Sequence, residues 1–476
     1  MKKTFEKKSN ILEGNLAKNI IIYTIPTILT GVLQLLFNAT DTVMVGSFAG
    51  HSALASVGAT GALINLIVNV FMGLSVGASV CVAQYYGSKN KDGVSQTTHT
   101  AMILALVMGV FVAIFGFVCS RTFLEMMGTP KDVIDGSTLY MRIYFLGMPA
   151  NMLYNFGAGI LRSQGDTRNP MIYLTISGFL NVGLNALFMI VFHMTVDGVA
   201  WGTVASQYLS AILITAHLFR TSEWTRLELS KMRITVSKMK RIIRIGLPAG
   251  LQSFLFSCGN VVVQSSVNSF GGDFMAGNTA AQNIEGFIWI AMNAFQHTSL
   301  TFVGQHLGAK KVNKIPKIIA LNVIFVTATG VLTAALALIF RYPLLSLYLD
   351  EESIIETAID RLFIIAGSYF LCGIMDAFTG ALRGLGNSVV PMVLTVISVC
   401  GVRITWVFTA FKILRDTDFA HIILYVCYPL SWILAITSMA IATAILYKKL
   451  KKSPLYAECF ENSAKAKKKR VVVNEA

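Results

Sequence analysis

Charge is scarce in this sequence. Only 13% of its 476 residues are Asp, Glu, Lys or Arg, while 54% are hydrophobic. Soluble chains carry about 25% charge, so a deficit spread over the whole length excludes an ordinary soluble domain and implies an integral membrane protein. Acid is scarcer than base, with 24 Asp and Glu against 39 Lys and Arg. Cysteine is sparse too. The seven cysteines are scattered, with no CxxC and no paired spacing, which excludes a disulfide framework or a zinc site and leaves small core residues. There is no HExxH, no P-loop and no DxDxDG loop. "GLSVG" at 73–77 fits the G-x-S-x-G pattern, but a nucleophile elbow needs a strand before its serine. Here the surroundings read as helix, where glycines four apart serve close packing.

What is present is long apolar runs. Twelve are of about 20 residues or more, the length a helix needs to cross roughly 30 Å of hydrocarbon. They lie near 18–45, 52–85, 95–119, 134–158, 170–193, 197–219, 241–268, 276–305, 316–340, 354–379, 390–411 and 421–447. The opening "MKKTFEKKSNILEGNLAK" is long and mixed in charge, and the run after it exceeds a signal core, so it is expected to stay as the first span. Of the 39 basic residues, 31 fall in the N-terminal arm, the even-numbered loops, the 220–244 linker and the tail. Five fall in the odd loops (Arg121, Lys131, Arg341, Lys412, Arg415), and Arg142, Arg361 and Arg403 lie inside or at the edge of helices. The positive-inside rule then predicts both termini in the cytoplasm. The net charge of +15 is topological, and no soluble basic fold remains to bind nucleic acid. The basic tail reads as an orientation anchor, with contact to anionic membrane lipids as the alternative.

The chain repeats itself. "SFAG" at 47–50 returns as "SFGG" at 269–272, "AQYYGSK" at 83–89 as "GQHLGAK" at 304–310, and "LRSQGDTRNPM" at 161–171 as "LRGLGNSVVPM" at 382–392. Pro26 returns as Pro248. The offset is 221 or 222 throughout. Each half therefore holds six helices in one orientation, a parallel repeat about an axis along the membrane normal. The expected fold is an all-α membrane protein of two six-helix bundles. Residues 1–219 make the first bundle, 220–240 a cytoplasmic linker, 241–447 the second bundle and 448–476 a basic tail. A central cleft with alternating access is the natural use of such a repeat, and Pro26 and Pro248 are its candidate hinges.

With these motifs the chain resembles the multidrug and toxic compound extrusion (MATE) family. The carrying stretches are "DTVMVG", "VAQYYGSKN", "GILRSQGDTRNPM", "TFVGQHLGAKK" and "GALRGLGNSVVPM", and the likeness covers about residues 15–447. The resemblance implies a V-shaped pair of lobes in the plasma membrane. It implies a transporter rather than an enzyme, a monomer exporting small amphipathic organic cations in exchange for H⁺ or Na⁺, with no other cofactor. A flippase for lipid-linked substrates in the same wider superfamily is the alternative. Such a flippase for anionic headgroups should line its cavity with several Arg or Lys, and few are intramembrane here.

Asp41 is the one charge in "IIIYTIPTILTGVLQLLFNATDTVMVG". A charge at such depth costs roughly 2.5–3.5 kcal/mol on insertion scales, and aspartate is too short to snorkel. In the family, an aspartate at this position works with an Asn-x-x-x-Asp pair on helix five. The matching residues are Asn181 and Asn185, so the second carboxylate is replaced by an amide. The i, i+4 spacing puts both asparagines on one helix face. Asp41, Asn181 and Asn185 are therefore the expected coupling site for H⁺ or Na⁺. The alternative is a local polar contact of Asp41 with Asn38, Thr40 or Thr42. Val263 stands where the repeat would place a second Asp41. The second half offers Glu285, Asp376 and Arg403 instead. Glu285 and Arg403 each lie roughly 12 Å from the outer ends of their spans, a depth that suggests a pair. The remaining candidates for substrate contact are Gln282, Met292 and Asn155.

Overall fold

In a computed structural model, residues 11–349, 351–417 and 419–456 are described. The lysines of the first ten residues and the tail beyond 456 lie outside them. Among the described residues the chain is helical, without strands. In order the helices are α1 Leu16–Phe48, α2 Gly50–Gly87, α3 Lys91–Met126, α4 Ile134–Leu146, α5 Met148–Ser163, α6 Arg168–Ala186, α7 Val196–Arg220, α8 Val236–Asn268, α9 Gly272–Gly308 and α10 Ile315–Ile339. They continue as α11 Arg341–Leu345, α12 Glu352–Arg361, α13 Gly367–Gly384, α14 Val389–Thr395, α15 Val402–Trp406, α16 Lys412–Leu414 and α17 Ala420–Lys452.

Among the described residues, ten segments are long and apolar enough to cross a membrane. Two of the twelve expected spans fall outside that set. One is split at Gly147 into α4 and α5, of 13 and 16 residues. The other, α9, has the length, at 37 residues, but is studded with Asn278, Gln282, Asn283, Glu285, Asn293, Gln296 and His297. Several spans are interrupted by a π-helical turn: Leu187–Val191 after α6, Leu362–Ala366 between α12 and α13, and Val396–Gly401 and Val407–Phe411 around α15. Such turns tend to occur at functional positions.

Contacts divide the chain into two units, and chain order does not fully set them. Ile25–Val82 and Asn90–Gly250 belong to one, Asn10–Thr24, Ala83–Lys89 and Leu251–Ala476 to the other, where described. In the first unit α3 packs on α4 and α5, and α7 on α4, α5 and α6. The beginning of α8 also belongs here, because its glycines meet those of α2. A Cβ on Gly73 would come within 2.2 Å of the Gly250 backbone, and one on Gly77 within 2.3 Å of the Ile242 carbonyl. The G-x-S-x-G stretch is thus a helix crossing. Its serine hydroxyl donates back to the Met72 carbonyl at 2.7 Å. The linker is laid on this unit as well: Glu228 N–H donates to His99 Nε2 at 3.0 Å, Thr235 N–H to Thr100 Oγ1 at 3.0 Å and Thr225 Oγ1 to Gln164 Oε1 at 3.0 Å.

The second unit is centred on α9 and α13, with α10, α12 and α17 around them. The start of α1 is fastened to it by hydroxyl pairs, Tyr23 to Thr301 and Thr24 to Thr298, both 2.8 Å. The end of α2 is fastened by Gln84, whose amide donates to the Gly384 carbonyl at 2.8 Å.

Candidate functional site

The first unit brings Asp41, Asn181 and Asn185 together. Asp41 sits near the end of α1, and the two asparagines share one face of α6. Asn185 Nδ2 donates to Asp41 Oδ1 at 2.6 Å. Thr203 of α7, which sequence reasoning missed, donates its hydroxyl to Asp41 Oδ2 at 3.5 Å and accepts from Asn181 Nδ2 at 3.5 Å. A signal was available: Thr203 and Gln207 lie one turn apart on α7 and share a face. The asparagines are 4% and 0% exposed. Thr40 and Thr42, expected alternatives for Asp41, instead donate to the carbonyls of Leu36 and Asn38 in their own helix.

The groups bonded to one another here are oxygen donors or amides: two carboxylate oxygens, a hydroxyl and two carboxamides. Asn181 Oδ1 and Asn185 Oδ1 are buried without a hydrogen-bond partner. Oxygen-only sets suit a hard cation. In the arrangement present, Asn185 turns its NH₂ towards the carboxylate and its oxygen towards Gly202, so ligation by that oxygen requires rotation of the amide. Gly202 makes room for it: a Cβ there would lie 2.0 Å from Asn185 Oδ1. Gly202→Ala is therefore expected to displace Asn185 from Asp41. Under the coupling role proposed below, initial efflux rate in vesicles is expected to fall roughly tenfold, within the usual span of coupling energies, with expression level as the control.

The second unit redistributes the other candidates. Glu285 and Arg403, expected as a pair, do not meet. Glu285 Oε2 is bonded to Arg361 Nη2 at 2.8 Å, with both side chains 5% exposed or less. Arg361 reaches it because α12 packs directly on α9. Its Nη1 donates to Asn278 Oδ1 at 2.8 Å, which also accepts from Tyr425 at 3.2 Å, and its guanidinium lies 5.3 Å from the Tyr425 ring centre. Arg403 points instead towards α8 and α17, donating to Asn260 Oδ1 and, at 3.3 Å, to Ser431 Oγ. Asp376 accepts from Gln296 Nε2 at 3.1 Å. Gln296 in turn accepts from Arg383, whose other arm reaches Gln252 at 2.8 Å. Gln282 bonds Gln264 at 3.2 Å on an exposed face. Met292 is fully buried against Gly330 and Gly373. Asn155 is half-buried and bonded to Asn151 of its own helix at 2.8 Å. Pro26 and Pro248 lie inside α1 and α8.

A helical membrane chain made of two repeats, with a polar cluster set into one of them, is the architecture of a transporter. The family model described as MatE matches residues 26–187 and again residues 248–409, so the chain belongs to the MatE family, whose members are transporters and not enzymes. A relative described as probable multidrug resistance protein YoeA, from Bacillus subtilis, is 25% identical over 87% of this chain and 90% of its own length. One described as an FAD transporter, from Shewanella oneidensis, is 23% identical over 83% of this chain and 87% of its own. A solved structure described as the outward-facing conformation of a multidrug resistance MATE family transporter matches with TM-score 0.87, covering 94% of this chain and 99% of that one at 21% identity. At that identity the likeness concerns the fold.

Proposed function

We propose that this protein is an H⁺- or Na⁺-coupled antiporter that exports amphipathic organic cations by alternating access, from the cytoplasm across the plasma membrane, as a monomer with both termini inside. The observation that carries the reading is the Asp41–Asn185–Thr203 contact. It is a lone carboxylate among amide and hydroxyl groups. Such a site changes charge when a proton or a sodium ion enters it, and an ion that weakens substrate binding must be weakened equally by substrate. The multidrug resistance named for the Bacillus subtilis relative supports organic substrates. The acids Asp41, Glu285 and Asp376 support a positive charge on them.

The test is efflux of a fluorescent organic cation from proteoliposomes under an imposed H⁺ or Na⁺ gradient, one at a time, with a flavin nucleotide as the competing anionic cargo. Acceleration by one gradient is the expected result. No response to either, or transport of the nucleotide alone, overturns the reading. Orientation is tested separately, by cysteine labelling at Ser222 and Gly50 in a background without native cysteines. Position 222 is expected to react only from inside and position 50 only from outside; the reverse pattern inverts the topology.

A further inference from the structure

The core of the second unit holds five charged side chains that are 7% exposed or less: Arg361, Arg383 and Arg403 against Glu285 and Asp376. Guanidinium groups do not deprotonate in proteins, so two carboxylates leave one positive charge unmatched. Glu285 is taken by Arg361. Asp376 is tied to Arg383 through Gln296. Arg403 is the remainder. It is the most deeply buried of the three, at 0% exposure, and among the described residues it forms no ion pair with a carboxylate.

Its hydrogen bonds go to neutral groups. Nε donates to Ser431 Oγ at 3.3 Å and Nη1 to Asn260 Oδ1. Nη2 has no partner. The neighbouring Trp432 is 2% exposed, and its Nε1 has no partner either. Aromatic rings cover the guanidinium, with ring centres 4.1 Å away for Tyr428, 5.4 Å for Phe256 and 6.0 Å for Trp432. Ring faces attract a cation but leave an in-plane N–H unfilled. A buried charge in this state is costly both as a charge and as an unsatisfied donor.

We propose that Arg403 is the centre of a buried site for a small inorganic anion of the chloride type, held by Nη2. A single remaining donor on a buried positive charge suits a monatomic ion. A phosphate-bearing headgroup or nucleotide needs more donors and more space than a fully buried guanidinium offers. The side of approach is α8, where Asn260 and Phe256 are only half-buried. The site neutralises the odd positive charge of this bundle and makes its stability depend on anion.

The test uses the purified full chain in detergent. Sodium chloride is replaced stepwise by sodium gluconate at constant ionic strength, and thermal unfolding is followed. Chloride at about ten times its dissociation constant is expected to raise Tm by roughly 1–2 °C, and Arg403→Met to abolish that rise. Crystals soaked in bromide are expected to show an anomalous peak beside Arg403. This second measurement needs no variant, so it decides the matter even where Arg403→Met fails to fold. Equal Tm in the two salts with no bromide peak overturns the proposal. So does a chloride effect that survives Arg403→Met, or stabilisation by phosphate but not by chloride.

Discussion

Replacing Asp41 with asparagine is expected to uncouple the transporter while leaving it folded. One carboxylate oxygen accepts a short bond from Asn185 and the other a longer one from Thr203; an asparagine oxygen can keep the first, while its NH₂ donates to the Thr203 hydroxyl in place of the second. A neutral amide is cheaper than a charge to keep at this depth, so thermal stability should hold or rise. What the amide cannot do is take up a proton or offset the charge of a sodium ion. In the proposed mechanism the link between gradient and substrate runs through that change of charge. Couplings of this kind are commonly 5–150-fold, and gradient-driven efflux is expected to fall by a factor in that range, to the rate seen without a gradient. Substrate binding should persist, because no substrate contact is assigned to Asp41. The measurement is initial efflux rate with and without the gradient, alongside substrate affinity and Tm. Wild-type acceleration by the gradient in Asp41→Asn would remove Asp41 from the coupling step.

The behaviour of this one residue shows how far the sequence could be read. Asp41 was legible because lipid makes a lone charge conspicuous; Asn181 and Asn185 came from the family resemblance, and their i, i+4 spacing added only that they share a face. Helix type and internal repeat were legible for a related reason, since apolar length and a constant offset of 221 or 222 survive without any knowledge of packing. Azimuth was not legible. Glu285 and Arg403 were matched on depth alone, and depth gives height along the bundle but not which neighbour a side chain faces. Arg361, which the sequence places inside or at the edge of a helix with no partner assigned, is buried because α12 lies directly against α9. Thr203 was overlooked because a threonine in a membrane helix usually bonds its own carbonyls, as Thr40 and Thr42 do here. The membership of α8 in both units was hidden as well: it depends on four small residues, Gly73, Gly77, Gly246 and Gly250, meeting across a crossing that sequence distance does not announce.

Arg361 carries the largest expected effect on stability. Its guanidinium is 2% exposed and bonds Glu285 and Asn278, under the rings of Tyr425 and Tyr428. Arg361→Met keeps much of the side-chain volume but leaves the Glu285 carboxylate without its counter-ion, and Glu285 Oε1 already lacks a partner. Removing one member of a buried pair costs about 3–5 kcal/mol, chiefly because the other charge stays buried and unpaired. The folded yield and Tm of Arg361→Met are therefore expected to fall sharply. Adding Glu285→Gln to it removes the stranded charge, and the double variant should regain most of the loss, since replacing a whole buried pair is often near neutral. The double-mutant cycle isolates the pair from the separate contacts to Asn278 and Tyr425. It also separates two roles for Glu285. If the carboxylate serves only to neutralise Arg361, the double variant transports as well as wild type. If it binds the positive charge of the substrate, the double variant is stable but has lost affinity for organic cations, and substrate titration on the stable protein distinguishes the two outcomes.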